Sequence, residues 1–545
     1  PLGAEMIRNQ AMTHAMVCAP QPEAVDAGLD VLREGGNVMD AAIAAALVQT
    51  VVDPQMCGVA GFGSMQIYHA ETGEHRFIDF HGRAPLSTRP DMWESRIVRE
   101  CDDGFGFVLE GQVNEIGYTS MTTPMTIKAF AEALEQFGTR PLSELIQPAI
   151  AYCEDGFTIR PRVHAFWLQP AVNGRIERAR VTNEFPATAK IYRKADGNLY
   201  GIGETLRNPD MGRTYRRIAQ AGVEDFYTGE IAHAIDADMR AHNGHITLAD
   251  LAGCAPEHLE PLRGTYRGHD IVTNPPPGGG LMVVEMLNIL ENFDLRAMGH
   301  NSPDYIATLA EVMKLATVDK DTKLGDPRFV DIPLSELTSK DYAAGLAERI
   351  RRGEKAHVPR VNAPESADTT HLCVADERGN VVNVTHSLGS SSGVVSDGLG
   401  FMYNNCMMVF DPRPGNPGSL APGKARFSAM CPTLVMRDGK PLMTLGAPGG
   451  TTITMGVLQA ILNVIDFDMS AQEAVSAPRF CVLSDTIEIT NRILRHTERE
   501  LTRRGYPTLR YPTSYAVPLV HAIRMQEGKL DGGADPAGDG MAAQV

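Results

Sequence analysis

No apolar run in this 545-residue sequence approaches the ~18 residues of a membrane-spanning helix, so no span is expected. Long basic runs with interleaved aromatics are missing as well, and 67 acidic against 50 basic residues give a net charge of -17. That balance excludes the electrostatic footprint of a nucleic-acid binder, and an anionic small substrate would need a local cationic anchor set against the overall field. There is no Cys-x-x-Cys pair. The nine cysteines, at 18, 57, 101, 153, 254, 373, 406, 431 and 481, are odd in number and scattered, and read as reduced core residues rather than a disulfide frame or zinc site. No His/Cys/Asp cluster has ligand spacing, so no metal is expected, and no organic cofactor is called for. No signal-peptide core precedes Met6, which reads as a natural start behind a cloning remnant Pro1-Leu2-Gly3. Reduced cysteines and the lack of a leader before Met6 together point to the cytoplasm, with the periplasm as the alternative if a leader has been removed. Internal repeats and low-complexity tracts are also missing.

What is present is a hydrophobic content of 43%, enough for a large core, and a length that by itself suggests three or four domains. Ala24 to Glu34 has an amphipathic pattern ended by Gly35-Gly36, and Met39 to Val51 is a small-residue helix with Asp40 near its first turn. Residues 64–69 and 75–80 alternate with period two, as a hairpin does. The stretch from 125 to about 350 is helical in period, with Ile271-Val272 leading into a Pro/Gly turn and then a helix over Leu281 to Leu290. From 369 onwards strands dominate again, so strands before and after that point are expected to share a sandwich. Composition alone gives only mixed α and β.

The richest stretch is Asp368-Thr369-Thr370-His371-Leu372-Cys373-Val374, continuing through Arg378-Gly379-Asn380 to Thr385-His386-Ser387. It reads as strand, tight turn and strand, with a threonine at the mouth. Threonine is a poor nucleophile without an adjacent base, and the nearest base is its own α-amino group, of pKa ~7.7–8.0. A free amino group at Thr369 requires cleavage between Asp368 and Thr369, most simply by attack of the Thr369 hydroxyl on the preceding carbonyl. Residues 1–368 then form a large subunit and 369–545 a small one, of about 39.9 and 19.2 kDa when the 59.1 kDa chain is divided by residue count. The polar, turn-rich loop from Gly353 to Asp368 suits a site that must be reached and then released.

Here the sequence resembles the γ-glutamyltranspeptidase family of N-terminal-nucleophile hydrolases, whose small subunit begins with a Thr-Thr-His segment. Further landmarks fall in the family's order. They are Gly35-Gly36-Asn37-Val38-Met39-Asp40-Ala41, Val52-Asp53-Pro54-Gln55, the glycines from Gly58 to Gly63, Pro275 to Gly280, Lys323 to Pro327, Tyr403-Asn404-Asn405, Met430-Cys431-Pro432-Thr433 and Gly446-Ala447-Pro448-Gly449-Gly450. The resemblance implies an α+β fold, a four-layer α-β-β-α sandwich built by both subunits, with a further dimer of these possible. It also implies Thr369 as nucleophile and Ser387 as the hydroxyl that hydrogen-bonds it. Gly449 and Gly450, lacking side chains before a helix start, would present N–H groups to an oxyanion.

The pocket departs from the glutamyl pattern. The family's Asp-Phe-Arg-x-x-Ala-Pro is here Asp79-Phe80-His81-Gly82-Arg83-Ala84-Pro85, so His81 takes the place of the arginine that holds an α-carboxylate. On an extended strand Arg83 would face the same way and could anchor a carboxylate. After Asn404-Asn405 comes Cys406-Met407-Met408-Val409-Phe410, which puts Val409 where an acidic partner for the ammonium belongs, with Asp411 two residues beyond. Gly389 replaces an asparagine, and the usual serine pair is Ser428-Ala429. Asn405, Ser428, Val409, His81 and Arg83 are therefore the expected substrate-binding set. The 16 residues between Phe410 and Phe427 leave no room for a longer lid, which favours water over a second acceptor. The expected activity is hydrolysis of a small amide bearing a carboxylate without an α-amino group, like that of an oxamate amidohydrolase or glutaryl acylase. The alternatives are a γ-glutamyl hydrolase or transferase acting on glutathione-like substrates, and an unprocessed binding scaffold.

Overall fold

Period-two alternation becomes sheet wherever it was legible, and two antiparallel sheets carry the fold. A computed structural model describes residues 14–102, 106–172, 174–359, 369–515 and 518–545; Met6 and Asp368 lie outside them. The strands used below are β1 (Ala15–Ala19), β2 (Phe62–His69), β3 (Glu74–Phe80), β4 (Glu257–Leu259), β5 (Leu262–Tyr266), β6 (His269–Thr273), β7 (Thr370–Asp376), β8 (Val381–Ser387), β9 (Thr433–Arg437), β10 (Lys440–Gly446), β11 (His521–Gln526), β12 (Lys529–Ala534) and β13 (Met541–Gln544). One sheet runs β13-β1-β7-β8-β2-β3-β4 and the other β12-β11-β10-β9-β6-β5. Each interleaves strands from before and after residue 369.

The helices that matter are α1 (Pro22–Arg33), α2 (Val38–Val52), α3 (Thr126–Phe137), α4 (Gly280–Leu290), α5 (Pro303–Lys323), α6 (Lys340–Arg351) and α7 (Ile453–Ile465). Asn37 caps α2 in a reciprocal box with Asp40, and all fifteen residues of that alanine-rich helix are buried. Small side chains let it lie close against both the first sheet and its neighbouring helices.

Three apolar clusters define four layers. One holds α1 to α3 against the outer face of the first sheet, through residues such as Met65, Ile78, Leu372 and Val384. A second holds α4 to α7 against the second sheet, through Val435, Met443 and Leu445. Between the sheets lies a thinner cluster that includes Cys18, Val272, Cys373, Leu434 and Ile523. Polar side chains also cross this middle layer: Asn383 Nδ2 donates to the Leu445 carbonyl at 3.0 Å and Gln66 Nε2 to that of Val272 at 3.0 Å. No described helix is long and apolar enough to cross a membrane.

Candidate active site

Thr369 immediately precedes β7 and is 7% exposed. Its backbone sits at φ +112°, a region that β-branched residues avoid. Its hydroxyl donates to Ser387 Oγ at 2.9 Å. Ser387 ends β8 and is itself held by the Gly389 N–H, 2.8 Å from the same oxygen. The cross-strand pair Thr370↔His386 explains the meeting, because the next position along each strand turns back to the inner face.

Thr370 points the other way, into the helical layer. Its Oγ1 accepts from Gln21 Nε2 at 2.9 Å and Gln49 Nε2 at 3.2 Å. Gln21 also donates to Asp53 at 2.7 Å, and Gln49 Oε1 meets His386 Nε2 at 2.9 Å. Thr370 is thus clamped by α2 and by the residue before α1. Sequence reasoning missed Gln21 and Gln49; only their unusual polarity beside buried helix positions marked them.

On the inner face His371 Nδ1 lies 2.8 Å from Thr385 Oγ1 and its Nε2 3.0 Å from Cys373 Sγ. Burial, together with His521 and His386 nearby, pushes its pKa well below the usual imidazole range, so the ring is neutral. Gly446, the last residue of β10, rests on this ring. A Cβ there would come within 2.3 Å of the imidazole, so only glycine permits the approach. Three residues later the chain makes the Gly449-Gly450 turn, at φ +144° and +56°. The Gly449 carbonyl accepts from Thr452 N at 3.2 Å and Thr452 Oγ1 at 2.7 Å, and α7 starts at Ile453. Among the described residues neither glycine N–H has a hydrogen-bond acceptor. The contact of Gly446 with His371 brings this turn to the end of the sandwich where β7 begins.

The expected substrate-binding residues fare differently. His81 is fully buried, its Nδ1 bonded to Asp79 Oδ1 and its Nε2 without a partner. Arg83 lies beyond the strand that carries Asp79. The β3 ladder ends at Phe80, and Arg83 makes only isolated bridges, to Thr123 and Ala425. Its guanidinium donates to Glu257 at 2.5 Å, and Glu257 also lies 3.6 Å from Arg328. Arg83 is therefore paired on β4 with Glu257, the cross-strand neighbour of the Asp79 that holds His81.

Asn405 is spent internally: its Oδ1 accepts from Ser390 N at 2.9 Å, and its Nδ2 donates to the Glu115 carbonyl and Ser390 Oγ, each at 2.9 Å. It holds the loop after β8. Ser428 is buried, its N–H donating to the Pro277 carbonyl at 2.8 Å and its Oγ accepting from Met430 N at 3.3 Å. Val409 closes a short turn over Cys406–Val409 and is half-buried.

Comparison with known proteins now decides the family. The γ-glutamyltranspeptidase profile matches residues 24–545. The chain belongs to that family. The Acylase ACY 1 proenzyme of Pseudomonas sp. (strain V22) is 35% identical over 541 residues, covering 98% of this chain and 94% of that protein. The Glutathione hydrolase proenzyme of Escherichia coli (strain K12) is 32% identical over 548 residues, covering 96% and 90%. Among solved structures, the cephalosporin acylase from Bacillus halodurans matches with a TM-score of 0.87 at 29% identity, over 98% of this chain and 96% of that one. This family member is an enzyme, a hydrolase or transferase on the α-β-β-α N-terminal-nucleophile fold.

Proposed function

We propose that this γ-glutamyltranspeptidase-family enzyme cuts itself between Asp368 and Thr369 and then hydrolyses small amides that carry a carboxylate but no α-amino group. The observation that carries the reading is the 2.9 Å contact between the Thr369 and Ser387 hydroxyls at the mouth of β7. In the processed enzyme the freed α-amino group takes the Thr369 proton as its oxygen attacks the amide carbonyl. The Gly449 and Gly450 N–H groups receive the oxyanion. The ammonium returns a proton to the departing amine, leaving an ester on Thr369 that water opens by the reverse sequence. His371, neutral and hydrogen-bonded at both nitrogens, packs behind the site and does not compete as a base.

Loss of the acidic partner at Val409 and the structural employment of Asn405 support a substrate without an ammonium. Nine buried cysteines, all free, suit a reducing compartment, and we place the enzyme in the cytoplasm. The two fragments, 1–368 and 369–545, would remain one heterodimer.

Denaturing intact-mass spectra of the wild type and Thr369→Ala test the reading. Species near 39.9 and 19.2 kDa in the wild type, absent from the variant, are expected from the 59.1 kDa chain. A stable 59.1 kDa wild type would sink self-cleavage at this bond. Robust turnover of a γ-glutamyl anilide would favour the glutathione-type reading instead.

A further inference from the structure

We propose that Gln49, buried in α2, is the residue that positions the Thr369 hydroxyl for attack on its own peptide bond. The inference rests on the self-cleavage reading above and names the side chain that sets the geometry of that step. In it the Thr369 oxygen bonds to the carbonyl carbon of residue 368 and the C–N bond breaks. The departing nitrogen takes up the hydroxyl proton, and water then opens the ester to a carboxylate and the restored hydroxyl.

Gln49 is fully buried near the C-terminal end of a helix made mostly of alanine and aliphatic residues. Its amide meets four partners on three other segments. Nε2 lies 2.6 Å from Gln21 Oε1, 3.2 Å from Thr370 Oγ1 and 3.2 Å from the His371 carbonyl, and Oε1 lies 2.9 Å from His386 Nε2. A backbone carbonyl only accepts, so the His371 contact fixes which end of the Gln49 amide is the nitrogen. Gln49 Oε1 must then take a proton from His386 Nε2, which leaves the lone pair on Nδ1, the buried ring atom without a partner. The same logic turns Gln21 Nε2 towards Thr370 Oγ1 at 2.9 Å and Asp53 Oδ2 at 2.7 Å. Phe130 of α3 meets the His386 ring edge-on, with centroids 5.6 Å apart.

Thr370 and His386 are themselves cross-strand partners, so His386, Gln49, Gln21 and Thr370 close a ring. That ring lies one residue inside Thr369 and Ser387, whose hydroxyls meet at 2.9 Å. One amide therefore holds the neighbour of each of those two residues, and through the His371 carbonyl it also grips the second residue after Thr369. Thr369 sits at φ +112°, a conformation that would relax if the start of β7 were free to turn. Gln49 acts through Thr370, His371 and His386 rather than on the reacting atoms, so what it supplies is position. A misplacement of about 1 Å costs on the order of 10²-fold in rate.

Methionine and glutamate are close to glutamine in length and breadth, so substitution separates hydrogen bonding from packing. Full-length chains made in a cell-free system are followed by denaturing intact-mass spectra against time, with a melting temperature recorded for each. Gln49→Met keeps the volume and loses every ring contact, and its self-cleavage should slow by about 10–100-fold. In Gln49→Glu the new carboxyl, buried beside Asp53, keeps its proton and with it an acceptor for His386 and one donor, so part of the rate should return. Gln66→Met removes another fully buried amide, on β2, and should cleave at the wild-type rate even where its melting temperature falls as far. Gln49→Met cleaving like the wild type, Gln49→Glu as slow as Gln49→Met, or Gln66→Met equally slow would each overturn the inference while leaving the self-cleavage reading intact. A wild type that stays at 59.1 kDa would overturn both.

Discussion

At Thr369 the backbone strain and the proposed cleavage concern the same bond. The φ angle is defined by the carbonyl carbon of residue 368, so hydrolysis of that peptide removes the dihedral held at +112°. A non-glycine residue kept in a sparsely populated region costs about 1–3 kcal/mol, and the intact chain carries that cost only while the bond persists. Glycine tolerates φ > 0 and alanine does not. Among uncleaved variants lacking the hydroxyl, Thr369→Gly is therefore expected to be more stable than Thr369→Ala by about 1 kcal/mol, read as a higher urea midpoint at equal slope. Equal midpoints would mean that the surroundings, not the residue's own backbone, absorb the conformation. Gly449 and Gly450 also sit at positive φ, for another reason: there the chain turns from β10 into α7.

Elements, rather than residues, explain the buried carboxylate pair between α4 and α5. Burial and the neighbouring Asp319 push the Glu285 pKa well above the carboxylate range, while Lys323 and the Tyr342 hydroxyl help keep Asp319 below it. The shared proton therefore sits on Glu285. An acid with a raised native pKa binds more protons folded than unfolded, so wild-type stability falls as pH climbs above about 4.3, where the unfolded glutamate ionises. Glu285→Gln keeps a donor towards Asp319 without a titration. Its stability advantage is expected to grow by up to about 1.4 kcal/mol per pH unit from pH 5 to pH 8, measured by urea unfolding at each pH; a constant difference would refute the assignment. At this scale the sequence was largely legible. The small-residue run with Asp40 near its first turn announced α2, the period-two runs announced β2 and β3, and Thr370 to Ser387 formed the expected hairpin. The pairing of Arg83 with Glu257 was not legible, because alternation predicts direction only while a ladder lasts, and this one stops at Phe80.

For the whole molecule, the sheet order makes self-cleavage a change of connectivity rather than of architecture. β7 and β8 lie between β1 and β2, and β6 pairs with β9, so the two fragments cannot part without breaking both ladders. Separation must then follow global unfolding, and acid supplies the means. Burial holds His75 and His386 near about 3 and His521 near about 4, with His371 well below the ordinary value, so all four stay neutral in the fold. Unfolded histidines protonate below about pH 6.5. In that window the unfolded chain binds more protons, and stability falls with pH by up to about 1.4 kcal/mol per unit for each histidine until the native values are reached. Protonated carboxylates also leave the 50 Lys and Arg charges unbalanced. The processed protein is expected to elute as one particle containing both fragments at pH 7, and to resolve into two only where near-ultraviolet circular dichroism is also lost, between about pH 5 and pH 3. Fragments that separate at neutral pH while retaining that signal would show that the interleaved strands do not hold the subunits together.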